Sequence, residues 1–168
     1  RQQFQRTIEH RLFDRADMPG ADGECSDDHD GDRESLKEAI FDAWSADLDA
    51  GRTSLMIASS NEDVAELSAR ARQARVEAGD VDEGGVPLRT GAKASRGDLV
   101  VTRRNDRTLH TDDGEPVRNR ELWTVDAVIR DGSLAVSRIQ GHGTVTLPVD
   151  YTRSHVRLGY AATAHGHQ

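Results

Sequence analysis

One cysteine, Cys25, stands in 168 residues. A lone thiol excludes an internal disulfide and a cysteine-built zinc site, and an intracellular, cytoplasmic setting is the expectation. Cys25 also lies among acidic residues, which oppose thiolate formation, so no nucleophilic cysteine is expected. No Ser/His/Asp arrangement is apparent either. Lysine occurs twice, as Lys37 after Leu36 and Lys93 after Ala92. Neither completes the Gly-Lys-Ser/Thr loop that cradles nucleotide phosphates, and no apolar strand ends in an acidic pair suited to Mg²⁺. The chain alone is therefore expected to carry no cofactor and no ATPase activity. Aromatic residues make up only 4% of the sequence, which leaves little for base stacking. No apolar run is long enough to span a membrane, and the first thirty residues carry no signal-peptide pattern.

Metal binding is not expected. Ser26, Asp28 and Asp30 fall at calcium-loop positions one, three and five when Gly31 is six, but Lys37 then occupies the position that requires a bidentate Glu. His165 and His167 are two apart and would not share a helical face. His142 and His155 stand alone.

What is present is charge, unevenly placed. Charged residues make up 31% and the net charge is -8. Residues 1–85 carry a net charge of -11 and residues 86–168 a net charge of +3. Only the second half could favour a phosphate backbone, although the acidic segment near residue 25 by itself accounts for much of the contrast.

Residues 1–31 read as an irregular acidic lead-in. Asp32 is placed to cap a helix running to about Ala50, with Leu36, Ile40, Trp44 and Leu48 in one stripe and Gly51 as its stop. Trp44 is expected to anchor a core. Ser54–Ser59 reads as a strand buried on both faces. Ser60 with Asp63 three later has the form of a capping box, opening a helix to about Ala78 that Gly79 closes. Val64, Leu67, Ala71 and Ala74 lie on one face of that helix. This order belongs to an open α/β sheet, where strand ends carry sites, so Ser60 and Asn61 sit at a functional edge.

Asp80–Gly97 is glycine-rich and turn-like and reads as a linker or domain entry. Short strands follow: Asp98–Thr102, Leu122–Arg130, Ser133–Ile139, Thr144–Val149 and His155–Leu158. Asp131-Gly132 and Gly141-His142-Gly143 mark turns. Pro148 points its strand toward a sheet edge, and Tyr151–Arg153 suggests a helical turn. Period-two alternation places Val100, Trp123, Val125, Ile129, Leu134, Val136, Val145 and Leu147 inside a small barrel over residues 97–157. Arg103, Arg104 and Arg107 fall in one loop, with Arg118 and Arg120 before the next strand. They could follow a phosphate backbone, or form a solvated loop balanced by Asp106, Asp112, Asp113 and Glu115.

The chain ends Gly159-Tyr160-Ala161-Ala162-Thr163-Ala164-His165-Gly166-His167-Gln168. This Thr-x-His-x-x-Gln run resembles a late motif of superfamily 1 RecD-like DNA helicases, in the form found in the helicase region of MobF-type (TraA-like) conjugative relaxases. Ser54–Arg75 resembles the first strand and helix of the second RecA-like domain of that family, with Ser59-Ser60-Asn61 where the family often has Pro-Thr-Asn. The helix before it, with Trp44 and its ending at Arg52, matches as well. Gly166-His167 departs from the usual Lys-Ser or Arg-Ala, so a basic charge is absent there.

The resemblance implies an α/β plus β fold: part of a RecA-like α/β domain with an inserted SH3-like β-barrel. Residues 32–85 would belong to the RecA-like part, 86–157 to the barrel and 158–168 to the return. It implies a fragment of a larger ATP-dependent helicase, since the family pattern continues beyond Gln168. ATP and Mg²⁺ would then be cofactors of the parent. Single-stranded DNA and the remainder of the polypeptide would be the partners, with no membrane. Thr163, His165 and Gln168 would contact DNA, beside Ser60, Asn61, Arg103, Arg104 and Arg107. The competing reading is an SH3-like protein-interaction or spacer module that never touches DNA.

Overall fold

The structure, a computed structural model, describes residues 28–164. The chain divides into two compact units, Arg1–Met56 and Ile57–Gln168. In the first, helix α1 spans Asp28–Asp49. It begins before Asp32, so that residue lies within the helix and does not cap it. Its end follows the glycine rule: Gly51 takes φ 72, its N–H meets the Leu48 carbonyl, and the Arg52 N–H meets the Asp47 carbonyl. The expected apolar stripe is only partly realised. Trp44 is buried and lies against Phe41, with ring centroids 5.7 Å apart, whereas Leu36 is 60% exposed.

The second unit begins within strand β1 (Met56–Ala58), which pairs with the strand β11 (Ala161–Thr163) in a two-stranded sheet. Strand β1 is shorter than expected and is not buried on both faces, since Ile57 is 47% exposed. Helix α2 (Asn61–Glu77) starts as its capping signal requires. Ser60 is extended at φ -134 and its Oγ accepts from the Asp63 N–H at 3.2 Å. Leu67 and Ala71 form its fully buried face, and Gly79 at φ 83 ends it.

Residues 80–97 are more ordered than a linker. Strands β2 (Val86–Pro87) and β3 (Lys93–Ala94) pair antiparallel in a small hairpin. The barrel follows: β4 (Leu99–Thr102), β5 (Asp106–His110), β6 (Pro116–Val117), β7 (Leu122–Val128), β8 (Leu134–Arg138), β9 (Thr144–Leu147), helix α3 (Val149–His155) and β10 (Val156–Leu158). Five strands form one antiparallel sheet in the order β10-β4-β7-β8-β9. Strand β9, which precedes Pro148, is at its edge, as the proline demands. Strands β5 and β6 form a second hairpin, placed where the sequence suggested only a basic loop.

Val100, Trp123, Leu134, Val136 and Leu147 are wholly buried and Val125 nearly so. Trp123 Nε1 donates to Thr102 Oγ1 at 3.3 Å, and the Arg138 guanidinium lies 5.2 Å from the ring centroid. Two expected core residues are not inside. The register between β7 and β8 shifts between Val125 and Ala127, and past that irregularity Ile129 is 39% exposed. Val145 is half-buried on the edge strand. The Asp131-Gly132 turn is also one residue longer than expected. Ile129 and Ser133 pair across a three-residue loop, and Gly132 takes φ 91.

Candidate nucleic-acid interface

Two groups of residues are built into the second unit. The first lies where β1 and β11 end. The Ala164 N–H donates to the Ala58 carbonyl at 3.1 Å, so the carboxyl ends of these strands lie together although about a hundred residues separate them in sequence. Ser60, Asn61 and Thr163 therefore share one edge of the sheet. Asn61 is exposed and Thr163 half-buried. Ser60 is engaged as the helix cap. Glu62 and buried Asp63 fill the first turn of α2, so carboxylates already meet its dipole. Among the described residues, this edge offers amide and hydroxyl groups and no concentrated positive charge. His165 and Gln168 lie outside the described residues.

The second group is on the barrel. Arg103, Arg104 and Arg107 do not form one cluster. Arg107 is exposed on β5. Arg104 Nη1 lies 3.2 Å from His155 Nε2, and its carbonyl accepts from the Tyr151 hydroxyl at 2.5 Å. Burial, reinforced weakly by Asp106, pushes the Tyr151 phenol up to about 12. Burial first, and then the positive charges of Arg157, Arg120 and Arg89, hold the Arg103 guanidinium below the usual arginine value. Sequence reading missed Arg89 and Arg157. The signal for Arg157 was the outward phase of β10, where Val156 and Leu158 are the buried neighbours.

Between these groups lies a polar hub. Asp98 is completely buried. Its Oδ2 accepts from Arg72 Nε and from the Ser95 N–H, each at 2.9 Å, and its Oδ1 accepts from the Tyr160 hydroxyl at 2.7 Å. Arg72 also donates to the Gly84 carbonyl at 2.6 Å. Arg75 reaches the Gly97 carbonyl at 3.0 Å and the Tyr160 oxygen at 3.2 Å. Burial foremost, then the neighbouring Asp98 carboxylate, pushes the Tyr160 phenol up. Helix α2 is thereby fastened to the entry and exit of the barrel.

Residues 86–157 match the Rv2311 SH3-like barrel domain family. The barrel is thus an SH3-like barrel domain, joined to a mixed helix and strand segment. No curated protein matches the chain. Among the described residues, no helix is long and apolar enough to cross a membrane, and no group of three or more His, Cys, Asp or Glu side chains is arranged to hold a metal.

Proposed function

We propose that this chain is part of a superfamily 1 RecD-like DNA helicase, from the helicase region of a MobF-type conjugative relaxase, and that it contacts single-stranded DNA. The observation that carries the reading is the insertion topology. A strand and helix lead into the barrel, and the chain returns from it to pair β11 with β1. In this reading β1, α2 and β11 belong to a RecA-like domain and the barrel is its insertion. Thr163, His165 and Gln168, together with Asn61, touch the DNA backbone, because a translocating motor must tolerate any base sequence. The barrel arginines add a second grip. ATP and Mg²⁺ bind elsewhere in the parent, since no phosphate-binding loop occurs here. The hub around Asp98 would pass movement of α2 to the barrel as one body.

The test uses the parent enzyme. Thr163→Ala with His165→Ala weakens single-strand binding equally across sequences and reduces unwinding more than ATP binding. Unchanged unwinding removes the motif assignment. The second reading is an SH3-like interaction or spacer module, favoured by the family match being confined to the barrel. A chain that binds no single-stranded DNA at low salt would decide for it.

A further inference from the structure

The barrel sheet has a gap along one side of β7. Up to Val125 that side is filled. Leu99 lies opposite Thr124, the Val125 N–H donates to the Asp98 carbonyl at 2.9 Å, and the Gly97 N–H donates to the Val125 carbonyl at 2.8 Å. Among the described residues no pairing continues on that side past Gly97, yet β7 runs on to Val128. The next residue, Ile129, donates its N–H to the Ser133 carbonyl at 2.9 Å, toward β8. Alternation then turns the N–H and carbonyl of Val128 the other way, into the gap.

The gap is a cleft of about 450 Å³, a volume that suits a ligand. Val86, Ala127 and Val128 give it an apolar lining, and Val128 is 38% exposed there. The facing wall is tied in place. The Ser95 hydroxyl and the Asp82 N–H bond to the Asp82 and Arg96 carbonyls respectively, and the Arg96 guanidinium holds the Asp82 carboxylate at 3.1 and 3.3 Å. Glu83 follows Asp82 and also lines the cleft. It is exposed and meets no cation among the described residues.

We propose that this cleft docks an extended, basic segment of a partner protein, which lies as a short added strand beside Val128 and sets a lysine or arginine side chain against Glu83.

The main chain and the side chains of the cleft support this separately. An open strand edge is a template for a further strand, and Val128 offers one donor and one acceptor to an extended chain. The lining fixes the chemistry of the occupant. Lysine and arginine carry a charged head on an aliphatic stem. The stem matches Val86 and Ala127, and the head matches the one carboxylate that Arg96 does not neutralise. That same carboxylate repels phosphate, so a nucleic-acid strand is the wrong occupant. The site is independent of the helicase reading, since none of its residues belongs to the proposed DNA contacts.

The test is an NMR titration of the 168-residue chain, following the backbone amide signals of Glu83 and Val128 and the hydrogen exchange of the Val128 N–H. The probe is a capped Lys-Val-Lys-Val-Lys-Val peptide. It is compared with its Glu-Val counterpart, with a copy N-methylated along the backbone, and with a twelve-residue oligothymidylate. The basic peptide is expected to shift both signals and to slow exchange at Val128. Glu83→Lys, an exposed change, should weaken its binding about tenfold or more. N-methylation should weaken it as much, and that arm leaves the protein unaltered. No shift at about 1 mM basic peptide overturns the proposal. Equal binding of the acidic or the N-methylated peptide does so as well. Oligothymidylate moving the same signals would make the occupant a nucleic acid, and signals that move with chain concentration alone would make it a second copy. Either result also overturns the proposal.

Discussion

The Tyr160 hydroxyl and the Asp98 carboxylate share a 2.7 Å hydrogen bond across 62 residues of sequence, at the point where the chain leaves the barrel. Arg72 of α2 holds the other oxygen of the same carboxylate. One buried aspartate thus ties the helix before the barrel, the barrel's first strand and the returning segment.

Removing that carboxylate should be costly. Asp98→Ala takes the carboxylate away from Arg72 Nε and the Tyr160 hydroxyl in a dry site, and breaking such a pair costs about 3–5 kcal/mol. Tyr160→Phe removes one donor and should cost about 1–3 kcal/mol. Urea unfolding followed by circular dichroism measures both. Losses under about 1 kcal/mol for Asp98→Ala would show that the hub is dispensable.

Trp123 tests the barrel core. It is fully buried, with Thr102 and Arg138 against its indole. Trp123→Ala should cost about 3–5 kcal/mol in the same measurement.

Alkaline pH should weaken the fold through its two buried tyrosines. Tyr151 is raised to about 12 and Tyr160 is raised as well. Both bind protons more tightly folded than unfolded. Their contribution is complete below the ordinary tyrosine value near 10 and is lost as pH climbs from there toward the folded values. Unfolding midpoints should fall through that window. The fall should be shallower in Tyr160→Phe and shallowest in the Tyr151→Phe, Tyr160→Phe pair.

Gly97 and Gly114 separate strain from collision. Both have positive φ, 93 and 87. At Gly114 a Cβ would meet nothing within 4 Å, whereas at Gly97 it would run into the Asp80 carbonyl oxygen. Gly114→Ala should cost about 1 kcal/mol and Gly97→Ala about 3 kcal/mol or more, as backbone strain alone spans this lower range. Equal losses would mean that the turn before β4 can move aside.

The barrel was legible because alternation and turn glycines are local signals. Trp123, Val125, Leu134 and Val136 follow period two, and Ser60 announces the start of α2. The failures have local causes too. The irregularity after Val125 shifts the phase and exposes Ile129, which no pattern in the residues marks. The hairpin of β5 and β6 escaped notice because β5 is polar and mostly exposed and β6 is only two residues long. Arginines that lay close in sequence were grouped as one loop, yet Arg107 is on β5 and Arg104 lies against His155. Arg157 joined Arg103 only through strand register. Asp98 looked like an ordinary strand start, because its partners Arg72 and Tyr160 lie far away along the chain.

The central claim is contact with single-stranded DNA irrespective of sequence. Its most direct measurement is the anisotropy of a fluorescein-labelled oligothymidylate titrated with the 168-residue chain, repeated with a mixed sequence and at rising salt. The account predicts weak, sequence-independent binding, with a dissociation constant of about 10⁻⁴–10⁻⁶ M, and a logarithmic salt slope of about -0.7 for each phosphate contacted. No change in anisotropy at about 10⁻⁴ M chain and low salt, or binding that depends strongly on base sequence, would contradict it.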